Sequence, residues 1–290
     1  MAELFQSIIA GLETGSLYAL AALGLVLIYR TSDVINFAQG EMAMFSSFVA
    51  FTIFQNNMPY VAAFFGAIIF AIFLGFVVER IFIRPASKAN IVSKMIITLG
   101  LIMIFNGLAS AIFGTDSYPF RKAITAANLQ VGEVIIQPNA LFIITVTLLV
   151  MLILFYLIRN TMMGIAIRAT AQNETTAKLM GIPVSRVYSL SWIIATVLGA
   201  IAGVLIAPTT NVSTSMMMEV HLKSFVAAVL GGMGSFIGPV IGGFIIGIFD
   251  NLVGFYISLQ WRTVIVYGLL IIVLIVKPAG LFGKTHRKKV

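Results

Sequence analysis

Cysteine is absent from this 290-residue chain, and charge is scarce: Asp, Glu, Lys and Arg together supply only 10% of it. The first absence excludes disulfides and thiolate metal sites and leaves the redox compartment open. The second excludes an ordinary soluble domain, in which about a quarter of residues are charged. Histidine stands only at 221 and 286, too far apart in sequence for a local metal pair. There is no HExxH, no GxSxG, and no glycine cluster followed by the Lys-Ser/Thr of a phosphate loop, so no catalytic constellation is expected. The methionine tract Met216–Met218 has no Cys or His beside it in the run and reads as apolar contact rather than a soft-metal site. An acidic residue, Glu3, occupies the place of a basic signal-peptide n-region, so the first apolar run is expected to be a retained span.

What is present is apolar. Hydrophobic residues make up 60% of the chain and the mean hydropathy is +1.06. The apolar runs continue past the roughly 20 residues a helix needs to cross the hydrocarbon, without the alternation of a β-barrel. In that medium every backbone N–H and C=O must be satisfied within its own segment, which leaves helix as the solution. The expected fold is an all-α polytopic transmembrane bundle forming one membrane domain over 1–290. Spans are predicted near Leu4–Tyr29, Val34–Gln55, Tyr60–Ile83, Met95–Phe113, Asn139–Ile158, Ser189–Ala207 and Thr263–Val276. Between Leu222 and Ser258 the cluster GGMGSFIGPVIGG weakens any continuous helix, so two segments are expected, meeting at Ser235–Pro239. The total is nine spans, or eight if one piece does not cross.

The formal charge of +8 is not interleaved with an aromatic platform, which argues against nucleic acid and for membrane orientation. The gap Glu79–Lys94 holds Arg80, Arg84, Lys88 and Lys94, and Arg159–Tyr188 holds Arg159, Arg168, Lys178 and Arg186; in Gly114–Gln137 the charges cancel. The positive-inside rule places the first two in the cytoplasm, with the N-terminus outside and the C-terminal tail Lys284–Val290 inside. All loops are too short for a nucleotide-binding domain, so no cofactor is expected on this chain.

The longest cytoplasmic loop, about 159–188, is polar yet patterned. MMGIAIRATAQNETTAKLM predicts one helix with Ile165, Ala169, Gln172 and Thr176 on a face, ended by Gly181 and Pro183. Such a helix either docks a partner at the inner face or rests on lipid head groups. Small residues four apart, at Gly11/Gly15, Gly199/Gly203, Gly238/Gly242 and Gly243/Gly247, predict close helix packing. Within spans, polar groups usually face the bundle interior, which makes Asn36, Gln39, Glu41 and Asn106 candidates for a translocation path, with Asp33 capping the second span. The break at Gly231, Gly232, Gly234 and Ser235 is either part of that path, a hinge, or a surface turn. Arg262 is within reach of the intramembrane Asp250.

The segment AKLMGI, Ala177–Ile182, resembles the cytoplasmic coupling loop of ABC importer permeases in the form carried by the branched-chain amino acid permease family of the LivH type. This chain has Thr175, Thr176 and Ala177 where importers at large carry Glu-Ala-Ala. The first span and its exit through NFAQGE, the KSFVAAVLGGMGSFIGPVIGGFIIG run and the terminal KPAGLFG resemble the same family, in order along the chain. The resemblance implies a coupling helix engaging ATPases through Glu174, Ala177, Gly181 and Ile182. It also implies a second homologous (LivM-like) permease, two ATP-binding subunits that hold the ATP, an extracytoplasmic solute-binding protein, a bacterial or archaeal plasma membrane, and branched-chain amino acids as cargo. Urea or short-chain amides are the alternative within the family, and a stand-alone channel or secondary carrier is the alternative outside it.

Overall fold

The computed structural model describes residues 2–283, so the basic tail used above for orientation lies outside the described residues. The described residues form α1 (Ala2–Ser32), α2 (Gln39–Gln55), α3 (Tyr60–Val78), α4 (Ile91–Phe113), β1 (Leu129–Val131), β2 (Val134–Ile136), α5 (Pro138–Asn160), α6 (Met162–Gln172), α7 (Glu174–Leu179), α8 (Val184–Thr210), α9 (Met218–Gly231), α10 (Gly238–Tyr256) and α11 (Arg262–Val276). This is the expected all-α polytopic bundle. Among the described residues six helices are long and apolar enough to cross a bilayer: α1, α3 with its extension to Ile83, α4, α5, α8 and α10. The apolar α11 has 15 residues, α2 has 17 and α9 has 14.

By internal contacts the chain divides into two compact units. The first comprises Met1–Val26, Ala123–Leu148 and Leu222–Val290. Here the paired glycines work as expected. Gly11 and Gly15 on α1 lie directly on the backbone of Gly243, Phe244, Gly247 and Ile248 on α10, and a Cβ on Gly11 would sit 2.6 Å from Ile248 Cα. Without side chains between them the two backbones gain dispersion contact along a full turn of each helix. The β1–β2 hairpin turns at Gly132, whose φ of 64° is open to glycine. Gln6 of α1 pins it by donating to the Ile135 carbonyl (3.0 Å) and accepting from the Ile135 amide (3.1 Å).

The second unit comprises Leu27–Lys122 and Leu149–His221. Here α2, α3 and α8 pack on one another, around buried Met42, Leu74, Val78, Phe105 and Trp192. Gly75 lets α3 lie on the Trp192–Ile193 backbone of α8, and Gly203 lets α8 lie on Ala43 of α2. Past Val78 the helix widens into one π turn, Glu79–Ile83, with the Arg84 amide bonded to the Glu79 carbonyl at 2.7 Å, and Pro85 then stops it. α4 starts where Asn90 caps the Ser93 amide at 2.7 Å.

The Gly-rich region is two helices, α9 and α10, as its composition predicts, joined over Gly232–Ile237. Two expectations need correction. The second span begins at Gln39 rather than Val34, and Asp33 does not cap it: its φ is 54° and its amide bonds to the Tyr29 carbonyl at 2.8 Å, so it closes α1. The loop helix is two helices, because Asn173 leaves the helical region (φ −160°, ψ 108°) and its side chain accepts from the Thr176 amide at 2.8 Å, capping α7 afresh. The buried side of α6 is Gly164, Ile167 and Thr170, while Ile165, Gln172 and Thr176 are exposed.

Candidate functional site

The loop between α5 and α8 ends in a rigid projection. α7 is one turn and a half, capped at its start by Asn173 and held on its flank by the Lys178–Glu174 ion pair. Burial alone would push the Glu174 carboxyl up, but hydrogen bonds from Lys178 and Tyr188 and the charges of Lys178 and Lys94 outweigh it and leave it below the ordinary carboxylate range, ionised at neutral pH. At the far end the Ile182 amide bonds to the Ala177 carbonyl and the Gly181 amide to the Lys178 carbonyl, both at 3.0 Å, with Gly181 at φ 80°. This is the paired C-terminal closure that requires a left-handed residue at the first position past the cap. The spacing of Ala177, Gly181 and Ile182 is thus a stop of fixed geometry. Ala177 faces inward, while Leu179 and Met180 are 83% and 78% exposed.

Below this projection a cavity of about 400 Å³ is lined by Arg84, Lys94, Glu174, Lys178, Tyr188 and Trp192, among others. Its wall is fixed by a network invisible in the sequence. Arg84 grips Glu79 through two bonds (3.0 and 2.8 Å), and Ser189 of α8 accepts from Arg84 (2.6 Å) and donates to Glu79 (2.8 Å). The i, i+5 spacing of the pair follows from the π turn, which helical periodicity does not forecast. Glu79 is buried, so Glu79→Gln is expected to lower stability by about 1.5–3 kcal/mol, seen as a lower thermal unfolding temperature in detergent.

The polar candidates of the second span separate into two kinds. Asn36 is buried and its carbonyl oxygen accepts from the Ala38 amide at 3.1 Å, a local turn before α2. Gln39 is buried on α2 beside Gly199 of α8. Glu41 of α2 and Asn106 of α4 are brought near each other from positions 65 residues apart, and the Glu41 Oε2 is buried without a hydrogen-bond partner among the described residues. At the glycine break, Gly232 adopts φ 99° and packs on Ala279, Gly280 and Gly283, while the Leu281 and Phe282 amides bond to the Leu230 and Gly231 carbonyls. Ser235 accepts from the Ile237 and Gly238 amides, and Gly234 faces open space. KPAGLFG therefore clasps the corner from outside.

The expected approach of Arg262 to Asp250 is present. It comes with a partner that the sequence reading passed over, Lys223, wholly buried and bonded to both Asp250 oxygens at 2.8 and 2.9 Å. A lysine inside the apolar run LKSFVAAVL was the available signal. Tyr18 adds a bond to Asp250 at 3.3 Å. Among the described residues no group of three or more His, Cys, Asp or Glu could hold a metal.

The profile of the family described as branched-chain amino acid transport system / permease component matches residues 7–274. The chain is 33% identical to the high-affinity branched-chain amino acid transport system permease protein LivH of Salmonella typhimurium and to LivH of Escherichia coli, over 98% of this chain and 97% of each relative. Identity to the permease protein BraD of Pseudomonas aeruginosa is 32%, again over 98% and 97%. No solved structure matches the chain significantly. With six helices long and apolar enough to cross a membrane among its described residues and a family match over residues 7–274, this multi-pass membrane protein belongs to the permease components of branched-chain amino acid transport systems.

Proposed function

We propose that the chain is one permease subunit of an ABC importer that moves branched-chain or other hydrophobic amino acids inward across a bacterial or archaeal plasma membrane, its N-terminus outside and its C-terminus in the cytoplasm. It pairs with a second homologous permease, two ATPases that bind and hydrolyse the ATP, and an extracytoplasmic binding protein. The observation that carries this reading is the capped α7 projection: Leu179 and Met180 stand exposed on a rigid turn whose other side, Ala177, is buried, with α7 packed on α8. An apolar tip on a stiff base suits a groove in a moving partner, and its displacement passes into α8 and so into the packed trio of α2, α3 and α8. Coupling of this kind requires contacts that differ between two states of the assembly.

In this reading Glu174, Ala177, Gly181 and Ile182 build the coupling element. Asn36, Gln39, Glu41 and Asn106 line the path, with the Glu41–Asn106 pair as its polar constriction. Gly231, Gly232, Gly234 and Ser235 serve as the hinge corner of α9 and α10. Proteoliposomes holding the complete assembly are expected to accumulate leucine only with ATP inside and binding protein outside, and to stop when the ATPases are omitted. Uptake by this chain alone at the full rate would overturn the proposal.

A further inference from the structure

Within the second unit, the cavity of about 400 Å³ below α7 carries more positive charge than its own carboxylates balance. Its volume falls inside the range of small-molecule sites, about 300–1,000 Å³. Four cations line it, Arg84, Lys88, Lys94 and Lys178, against two carboxylates, Glu79 and Glu174. Arg84 is engaged by Glu79 and Lys178 by Glu174. Lys88 and Lys94 have no carboxylate within ion-pair distance among the described residues, and Lys94 acts on Glu174 only through its field. Lys94 also stands in the first turn of α4, at the positive end of the helix dipole, where a cation is the unfavourable sign and an anion the favourable one. Trp192 lines the same cavity, and its indole N–H is buried with no acceptor among the described residues. A buried donor without a partner is costly, and an acceptor entering the cavity would supply the missing bond.

The place of the two lysines says which anion. α3 with its extension ends at Ile83 and α4 begins at Ile91, so Lys88 and Lys94 flank the ends of two helices long enough to cross a bilayer. That is the depth of lipid head groups, where lysine meets phosphate. Beside them Ile91, Val92 and Ile96 of α4 are exposed, an apolar surface suited to acyl chains. We infer that this cavity is a binding site for an anionic phospholipid, its phosphate between Lys88 and Lys94 at the start of α4 and its chains along the exposed face of that helix. Glu174 and Lys178 of α7 belong to the same wall, so the lipid ties the leaflet to the base of the projection. This goes beyond the transport reading, since lipid binding here holds whatever α7 engages.

The test titrates dioleoylphosphatidylglycerol, and separately dioleoylphosphatidylcholine, into the complete permease–ATPase assembly in detergent, with bound lipid counted by native mass spectrometry. Wild type is expected to retain phosphatidylglycerol saturably and in preference to the zwitterionic lipid. The double variant Lys88→Gln/Lys94→Gln is expected to weaken that retention by about tenfold or more, since each lysine near a phosphate contributes about fivefold. Lys88→Arg/Lys94→Arg keeps both charges and is expected to keep the lipid, a rescue that a folding defect would not give. Glycerol 3-phosphate, the same phosphate without chains, is expected not to displace the lipid. Retention within twofold of wild type in the double Gln variant overturns the site, as does equal retention of the two lipids by wild type. Displacement by glycerol 3-phosphate at the affinity of the lipid overturns the lipid assignment in favour of a soluble phosphate. Retention by the permease alone that disappears once the ATPases are bound overturns it in favour of an acidic side chain of the partner.

Discussion

Gly181→Asp is expected to leave the protein inserted and folded while reducing ATP-driven uptake by more than about a hundredfold, with ATP hydrolysis uncoupled from what transport remains. Two effects of very different size decide this. The backbone at Gly181 has φ 80°, and a side chain there costs about 1 kcal/mol, less for Asp and Asn, which tolerate the left-handed region. Nothing lies within 4 Å of the added Cβ, so no packing is lost in the permease itself. The carboxylate instead lands beside the exposed Leu179 and Met180, on the surface proposed to enter the ATPase groove. Burying an unpaired charge in an apolar contact costs several kcal/mol, and each 1.4 kcal/mol is a factor of ten. Gly181→Asn shares the backbone tolerance without the charge and is expected to retain intermediate activity. The measurement is leucine uptake against ATPase rate in the same proteoliposomes; an Asp variant transporting at the wild-type rate would remove α7 from the coupling path.

Gly247→Leu is expected to yield no monodisperse folded protein, and Gly247→Ala to cost about 2–3 kcal/mol or more, read as a fall in unfolding temperature in detergent. A Cβ on Gly247 would overlap the Gly15 backbone, and one on Gly243 would stand 2.5 Å from Ala19 Cα. The obstacle in each case is main chain, which has no rotamer to move to, so α1 and α10 must part along their whole contact. Overpacking typically costs about 1–3 kcal/mol even where side chains can adjust. Gly268→Ala on α11 is the control: it has nothing within 4 Å, and removing a helix-interior glycine there is expected to be neutral or slightly stabilising. If Gly247→Ala and Gly268→Ala unfold alike, the glycine seam is not what joins these helices.

The two corrections share a cause. Asp33 and Asn173 each bear a short polar side chain that favours a cap as readily as a turn. From the sequence Asp33 precedes a span and so reads as its cap, yet five further residues intervene before α2. Asn173 sits in the middle of a 3.6-residue pattern, and periodicity alone runs straight through it. The Gly181 stop, by contrast, was legible to the residue, because a left-handed closure has few solutions and glycine followed by Pro183 announces one.

The order of apolar runs and breakers by itself determined that this chain is a helical membrane protein, where most of its long helices fall within a few residues, and that α9 and α10 are separate. Those properties depend on local chemistry: hydrocarbon forbids unpaired backbone groups, and Gly and Pro interrupt a helix wherever it lies. Tertiary structure decided which polar residues act together. Glu41 meets Asn106, Ser189 bridges Glu79 and Arg84, and Lys223 and Arg262 converge on Asp250. A charge inside a span must find a partner, but the partner is chosen by which helix faces pack, and packing is set by shape along whole helices rather than by any residue near the charge.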